Sequence, residues 1–587
     1  MHDGLLRFFA AGFLLLAPPV SAAPASAAAP ADRVYRNGAI FTADAQRPTA
    51  QALAIQGGRI VYVGADAGVA PLVGAHTVSV DLHGRFLMPG LVDGHMHPLE
   101  AGGQLLKCGL DYAPLTIAEM QQRIQACLDA TSSKEPDGWL DVVSWFQESM
   151  RPAGVKTSRA TLDALKTSRP IVVHSSFGHT VLANSRALAL AKITAGTPDP
   201  LGGKIWKDSA GEPTGLLEDA AYEPVDALLP QRTAEEDVAA AQAALAAMSR
   251  QGVTGFLDAV ARPEDLAAFS AVRKAGKLTV RAHFAPLIEP KDAGDPAGAV
   301  GRVVALAKQY DEGAARPEPG ITVRNAKLFL DGVIAAPALT GAMVEPYLGT
   351  GGAGPAVYFP PGPLATLLVD LGRAGIDPHM HADGDGAVRA ALDGVVALRK
   401  ALPAADVRPA VAHAEIVTPA DFPRFKATGT IPVLSFQWEK PAGDTLGLRE
   451  YFGPARMKIL EPAGLLAAAG ARIAFGSDWP VDALDEWFAL KVGVTRTNAP
   501  DAPPEFHGRL GDDPGLSRDA VLRAATLDAA YELHADQATG SLEVGKLADL
   551  IVLDRNPLTV PAEEIAKVQV VETVVGGKVV WEAPASH

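Results

Sequence analysis

The sequence predicts an α/β fold: a (β/α)8 TIM barrel, a small β-sandwich domain built from both termini, and a large insertion after barrel strand 1. Three observations lead there. Eight apolar strand-like segments between residues 86 and 477 alternate with helical stretches, which is the arithmetic of eight βα units. Short β-type runs recur at both ends of the chain, and neither set is long enough for an independent sheet. Between the first two barrel strands lie about 150 residues, Leu99 to Gly252, far more than a crossover helix needs.

At the N-terminus, Arg7 precedes the apolar run Phe8 to Ala17, followed by Pro18-Pro19 and Val20-Ser21-Ala22. This pattern marks residues 1–22 as a secretory signal peptide. A run of about ten residues falls short of the ~20 that a bilayer span requires. The chain is therefore expected to be exported, periplasmic or secreted, with no stable membrane insertion once the leader is removed. The Ala/Pro-rich stretch Ala23 to Ala31 reads as a flexible lead-in. Next come Val34-Tyr35, Ala39 to Phe41, Ala52 to Ile55, Ile60 to Val63 and Val78 to Val80, separated by turn pairs such as Asn37-Gly38 and Gly57-Gly58. These read as hairpins, and residues 23–85 are assigned to the small β domain. Leu550 to Leu553 and Val568 to Trp581 have the same character, so residues 540–587 are taken to complete it.

The barrel is assigned to residues 86–539, with an inserted subdomain at about 99–235. Its strands are expected at Phe86–Val92, Val253–Asp258, Thr279–Ala285, Val323–Asp331, Ile376–Ala382, Pro409–Ile416, Ile431–Phe436 and Arg472–Ser477. Helical stretches fall between most of them. The clearest is Thr233 to Arg250, with a capping box of Thr233 and Glu236 and Gly252 as its stop.

Composition narrows the function classes. With 52 Lys and Arg against 67 Asp and Glu, the net charge is −15, and there is no Lys/Arg-rich run. That argues against a nucleic-acid or anionic-membrane partner. Two cysteines, Cys108 and Cys127, exclude a disulfide-stapled scaffold and a four-cysteine zinc module. A disulfide between them and two buried free thiols are equally open.

The chemistry lies at the C-terminal ends of the strands, where βα loops build the site of a TIM barrel. Strand one ends in Asp93-Gly94-His95-Met96-His97, and two His at i and i+2 project from one side of an extended chain toward a single metal. Strand four carries Lys327 inside an apolar stretch. A buried ammonium needs a nearby carboxylate, or else the amine is carbamylated by CO2 into an anionic bridge between two metals. Strand five ends in His379-Met380-His381-Ala382-Asp383-Gly384-Asp385. Strand six carries His413-Ala414-Glu415, and strand eight ends in Gly476-Ser477-Asp478-Trp479-Pro480. Each His alone is an ordinary core or rim residue, but their joint placement at strand ends points to a metal centre.

These segments resemble the amidohydrolase superfamily, specifically its third amidohydrolase group of N-substituted formamide deformylase-like hydrolases. The resemblance runs from about Val34 to Trp581. It is carried by Met88-Pro89-Gly90-Leu91-Val92-Asp93-Gly94-His95-Met96-His97-Pro98, by Lys327 to Gly332, by His381 to Asp385, by Phe475 to Asp478 and by Gly540 to Asp554. His179 and Asn184-Ser185-Arg186-Ala187-Leu188 in the insertion also resemble that group.

The resemblance implies two divalent metal ions, zinc foremost. His95, His97 and Asp478 hold the first, His381 and His413 the second, and a carbamate on Lys327 bridges them. The choice of His381 over His379 follows the family's His-Ala-x-Gly-Asp pattern. The implied reaction is hydrolysis of the C–N bond of a small amide, of the N-acyl or N-formyl amine type, by a metal-activated hydroxide. Two cations lower a water's pKa from about 15.7 to roughly 7, and Asp478 is the catalytic residue that takes the water's proton and returns it to the leaving amine.

Substrate-binding candidates are Trp145, Phe177, His179, Gln437 and Trp438, chosen by position alone, with packing roles equally open. A neutral or cationic small molecule suits the acidic chain, and assembly into a homo-oligomer is compatible with it. Two rival functions stand beside this one: ester, lactone or carbamate hydrolysis on the same fold, and a non-catalytic exported binding or regulatory protein. The second predicts missing ligands, and all six are present.

Overall fold

Eight parallel strands form the centre of the protein: β1 (Leu91–Met96), β2 (Val253–Ala261), β3 (Arg281–Ile288), β4 (Asn325–Phe329), β5 (Asp377–Ala382), β6 (Ala410–His413), β7 (Ile431–Leu434) and β8 (Ala474–Phe475). They lie side by side in chain order, with Lys327 opposite His379 and Ala382 opposite His413 in the ladder. Past the last strand, Asp478 N donates to His95 O at 2.7 Å and His97 N donates to Trp479 O at 2.8 Å. These bonds draw β8 onto β1, and the result is a nearly closed (β/α)8 barrel. The computed structural model describes residues 29–584 apart from 134–135, 153, 177, 179, 201–202, 337 and 351–353; the signal peptide expected at residues 1–22 lies outside the described residues.

The first barrel strand is displaced from its expected position. Phe86–Pro89 leaves the barrel to pair antiparallel with Leu550–Leu553, and β1 begins only at Leu91. The run Phe86 to Val92 is buried throughout, so hydropathy gives no seam between the two strands. Gly90 marks it: a Cβ there would sit 2.2 Å from Thr254 Cγ2 on the adjacent strand.

The six-stranded sheet that receives Phe86–Pro89 mixes the two termini, in the order Lys578–Glu582, Val570–Val575, Leu550–Leu553, Phe86–Pro89, Ala39–Phe41, Thr49–Ala50. A four-stranded sheet drawn only from Arg33 to Asp81 faces it, and Tyr35, Leu53, Ile60, Leu87, Leu550 and Val574 fill the space between. Arg281 on β3 ties this domain to the barrel through two bonds to Asp549, at 2.6 and 3.0 Å, both side chains buried.

The insertion is a second six-stranded sheet, in the order Gly203–Lys207, Pro213–Asp219, Thr180–Ala183, Ile171–Ser175, Leu140–Trp145, Cys108–Gly109. Its helix Ile117–Thr131 starts on a capping box of Thr116 and Glu119, and a disulfide joins Cys108 of the edge strand to Cys127 of that helix. The chain returns to the barrel through Ala234–Gln251, a helix that starts on the Thr233–Glu236 capping box and stops at Gly252 with φ 86°. Among the described residues, no helix is long and apolar enough to cross a membrane.

Candidate metal centre

β1 carries His95 within the strand and His97 just beyond it, two positions apart and so on one side of the extended chain. Both reach Asp478 Oδ1 across the barrel's closing edge, His97 Nε2 at 2.9 Å and His95 Nε2 at 3.4 Å. Asp478 adopts φ 55°, a region that non-glycine residues seldom enter without a functional or structural reason. Asp93 braces the same edge, its Oδ1 accepting from His95 N at 3.0 Å and Ser477 N at 3.1 Å.

A second group lies beside the first. His381 at the end of β5 has Nε2 3.4 Å from Asp383 Oδ1 and 2.9 Å from Gly332 O. His413 ends β6 with φ 73°, and Ala414 follows at 48°. Ring centroids of His413 stand 4.7 Å from His95 and 4.6 Å from His381, so the two groups share a boundary. Within each group, His95/His97/Asp478 and His381/Asp383/His413, the donor atoms lie within 4.8 Å of one another. Lys327 Nζ, from β4, is 3.3 Å from His95 Nε2.

Burial sets the electrostatics. Desolvation holds His95 and His413 far below the ordinary imidazole range and His381 at about 3, which keeps these rings neutral, the form that binds a metal. Burial also pushes Lys327 down to about 8, against the pull of Asp478, Asp383 and Asp258. For Asp478, burial alone would raise the carboxyl, but the His97 contact and the charges of His413, His97 and Lys327 outweigh it and hold the group low. Asp383 is pushed up, first by burial and then by Glu415 and Asp331.

Asp478 Oδ1 and Asp383 Oδ1 are buried, and the ring nitrogens of His97 and His381 that face them at 2.9 and 3.4 Å are not aligned for a hydrogen bond. A buried carboxylate oxygen without a partner is costly. Neutral imidazoles converging with such oxygens are the donor set that a divalent, borderline-soft cation satisfies, so the residues fit two metal ions. Their depressed proton affinity has a testable sign: protons displace metal only where they can occupy the rings. Release on acidification of a divalent cation loaded at the His381/His413 group is expected well below pH 6.5, toward the value of about 3 held by His381, measured by dialysis and metal analysis. Release beginning near pH 6.5 would contradict it.

All six expected ligands, His95, His97, Lys327, His381, His413 and Asp478, line one cavity of about 340 Å³ at the C-terminal end of the barrel. Phe329, Val333, Leu448 and Val481 form apolar walls, Asp383, Glu415 and Asp444 an acidic one, and the insertion contributes Ser175 and Thr180.

The substrate candidates divide. Trp438 lines the cavity, stacks on His413 with ring centroids 5.5 Å apart, and donates from Nε1 to Asp482 at 2.9 Å. Gln437 turns away, buried, with Nε2 donating to Ser477 O at 2.6 Å, so it braces the Asp478 loop instead of lining the cavity. Trp145 is 1% exposed in the insertion's own core beside Leu140 and Val142, because the strand's alternation breaks between Val142 and Trp145, where Ser144 adopts φ 58°. Phe177 and His179 lie outside the described residues.

Asp383 was not among the expected ligands, although the i, i+2 spacing that relates His95 to His97 also relates His381 to Asp383. His379 has no cavity face. Its Nε2 is 2.8 Å from His95 Nδ1, and its Nδ1 is 3.0 Å from Glu532 Oε1.

The profile of the Amidohydrolase family matches residues 79–581. The chain is 26% identical to the N-substituted formamide deformylase of Arthrobacter pascens, across 94% of this chain and 99% of that protein. It is 30% identical to the exoenzymes regulatory protein AepA of Pectobacterium carotovorum subsp. carotovorum, across 68% of this chain and 83% of that one. Its fold is similar to the crystal structure of a metal-dependent hydrolase from Pyrococcus horikoshii OT3, with TM-score 0.69 at 22% identity, covering 90% of this chain and 99% of that chain.

Proposed function

Because the chain belongs to the amidohydrolase family, we propose that it is a metal-dependent hydrolase cleaving the C–N bond of a small amide, of the N-acyl or N-formyl amine type. The observation that carries this reading is the convergence of six metal-competent side chains on one cavity with two buried carboxylate oxygens that face imidazole nitrogens but lack an aligned hydrogen-bond donor. The formamide deformylase relative supports the choice of bond.

His95, His97 and Asp478 would hold one cation and His381, His413 and Asp383 the other, zinc suiting this nitrogen and oxygen set. When bound, the two ions supply Lewis acidity to the substrate carbonyl and lower the pKa of water from about 15.7 to roughly 7. Through the carboxylate oxygen that does not hold a cation, Asp478 takes the proton of the attacking water and delivers it to the amine nitrogen as the C–N bond breaks. Its low proton affinity keeps it ready as a base through neutral pH, so activity falls only in acid. Trp438, Phe329 and Leu448 pack the substrate's apolar part. Apart from the residues assigned to the cations, the described lining residues include Glu415 and Asp444 and no cationic side chain, which favours neutral or cationic substrates over anions.

Lys327 is proposed to bridge the two ions as a carbamate. Its neutral amine, accessible at a value of about 8, adds to the carbon of CO2 and releases one proton. Lys327→Ala is expected to bind one zinc instead of two by metal analysis with added bicarbonate; two zinc ions in that variant would exclude the bridge. An exported location rests on the leader pattern and on the Cys108–Cys127 disulfide, a bond that persists in oxidising compartments.

A panel of N-formyl amines, N-acyl amines, carbamates, esters and lactones, presented to the zinc-loaded protein, tests the reaction. Turnover of the amides, abolished by chelation, is the expected result. Turnover confined to esters or lactones would overturn it.

A further inference from the structure

Three polar side chains run in a line beneath the first metal group. Glu532 ends the short helix Ala529–Glu532, just after a π-helical turn at Ala524–Asp528. Its Oε1 is 3.0 Å from His379 Nδ1, and His379 Nε2 is 2.8 Å from His95 Nδ1. Glu532, His379 and His95 are 0%, 0% and 2% exposed. The fit is close: a Cβ on Gly94 would sit 2.4 Å from Glu532 Oε2, so the carboxyl occupies the space that glycine leaves in β1. An apolar trio would fill the same volume without burying three polar groups.

The geometry points to Glu532 as a positioning residue that, through His379, fixes which nitrogen of His95 is left free for a cation. A neutral imidazole has one N–H and one lone pair, so the chain has only two proton arrangements. With Glu532 Oε1 as acceptor, His379 Nδ1 donates to it, His379 Nε2 accepts from His95 Nδ1–H, and His95 Nε2 keeps its lone pair facing the metal group. In the reverse arrangement His95 Nε2 carries the proton and cannot ligate. Lys327 Nζ, a donor 3.3 Å from His95 Nε2, selects the first arrangement from the other end. Oε1 accepts whether or not Oε2 holds a proton, so the device needs no titration.

A ligand's hydrogen-bond partner holds its ring orientation and tautomer and typically changes metal affinity 10–100-fold; here the carboxyl acts one imidazole further away. The inference rests on the reading of His95 as a metal ligand, and its test needs no substrate. Zinc affinity is measured by chelator competition on folded protein, checked by circular dichroism. Glu532→Leu, which removes the acceptor, is expected to weaken one of the two zinc sites ~10–100-fold and leave the other unchanged, and Glu532→Gln, which keeps an acceptor oxygen, to keep both within about threefold of wild type. Wild-type affinity in Glu532→Leu overturns the inference alone, whereas wild-type protein that binds no zinc overturns the ligand reading with it. A variant-free check is the 15N spectrum of metal-free wild-type protein labelled in its histidine rings, with His95 assigned by difference against His95→Gln. A proton on Nδ1 is expected, and a proton on Nε2 overturns the inference.

Discussion

Asp478→Asn is expected to lower kcat by about 10²–10⁴-fold, the range over which a positioned proton-transfer group contributes, while the protein keeps its zinc. The amide has the carboxylate's shape and retains an oxygen on the His97 side, where Oδ1 now lies 2.9 Å from Nε2. It cannot take up a proton at neutral pH. The surrounding backbone is independent of that charge: Asp478 N donates to His95 O and Trp479 O accepts from His97 N whatever the side chain. Steady-state kinetics together with zinc content separate the two roles of the residue. Near-normal turnover with full zinc would remove Asp478 as the base, and loss of zinc would show that its charge is needed for binding.

Arg496→Met is expected to cost about 3–5 kcal/mol of stability, the cost of breaking a buried ion pair on one side. Arg496 is 0% exposed. Its guanidinium donates to Glu439 Oε2 at 3.1 Å and to the carbonyls of Glu461, Leu460 and Leu510 at 2.7, 2.8 and 3.0 Å. Glu439, 1% exposed, has no other cation among its influences; burial already pushes it up, and Arg496 is what opposes that. Methionine fills the volume and leaves Glu439, three carbonyls and the buried Asp513 carboxylate, 3.6 Å from the guanidinium, without their cation. Urea unfolding of the variant measures the loss. The double variant Arg496→Met/Glu439→Leu is expected to recover much of it, because the penalty is that of an orphaned charge. A double variant as unstable as the single one would place the cost in the lost carbonyl bonds and in Asp513 instead of Glu439.

The sequence made the barrel legible because each strand is buried on both faces and therefore reads as an unbroken apolar run between glycine and proline punctuation. The same property hid the junction at Gly90, where two buried strands abut and the hydropathy does not change. Ligands on strand ends were legible as His and Asp inside apolar text. Asp383 was legible in principle by its spacing from His381. Glu532 was not: it lies 153 residues from His379, on a helix where a glutamate is unremarkable, and only the fold brings it under Gly94. Trp145 shows the opposite failure, since an aromatic in an insertion reads alike whether its strand turns it toward a cavity or into a core.

The meeting of β1 and β8 bears on when the protein becomes able to hold a metal. Asp93 and Ser477, whose hydrogen bond closes that junction, are 384 residues apart in the chain, and the donors of the first group are divided between the same two strands. No nascent or truncated chain that lacks β8 possesses that group, however well its earlier strands have formed. Metal capture at His95, His97 and Asp478 is therefore a late event in folding, and its energy falls on the finished ring of strands and on nothing that precedes it.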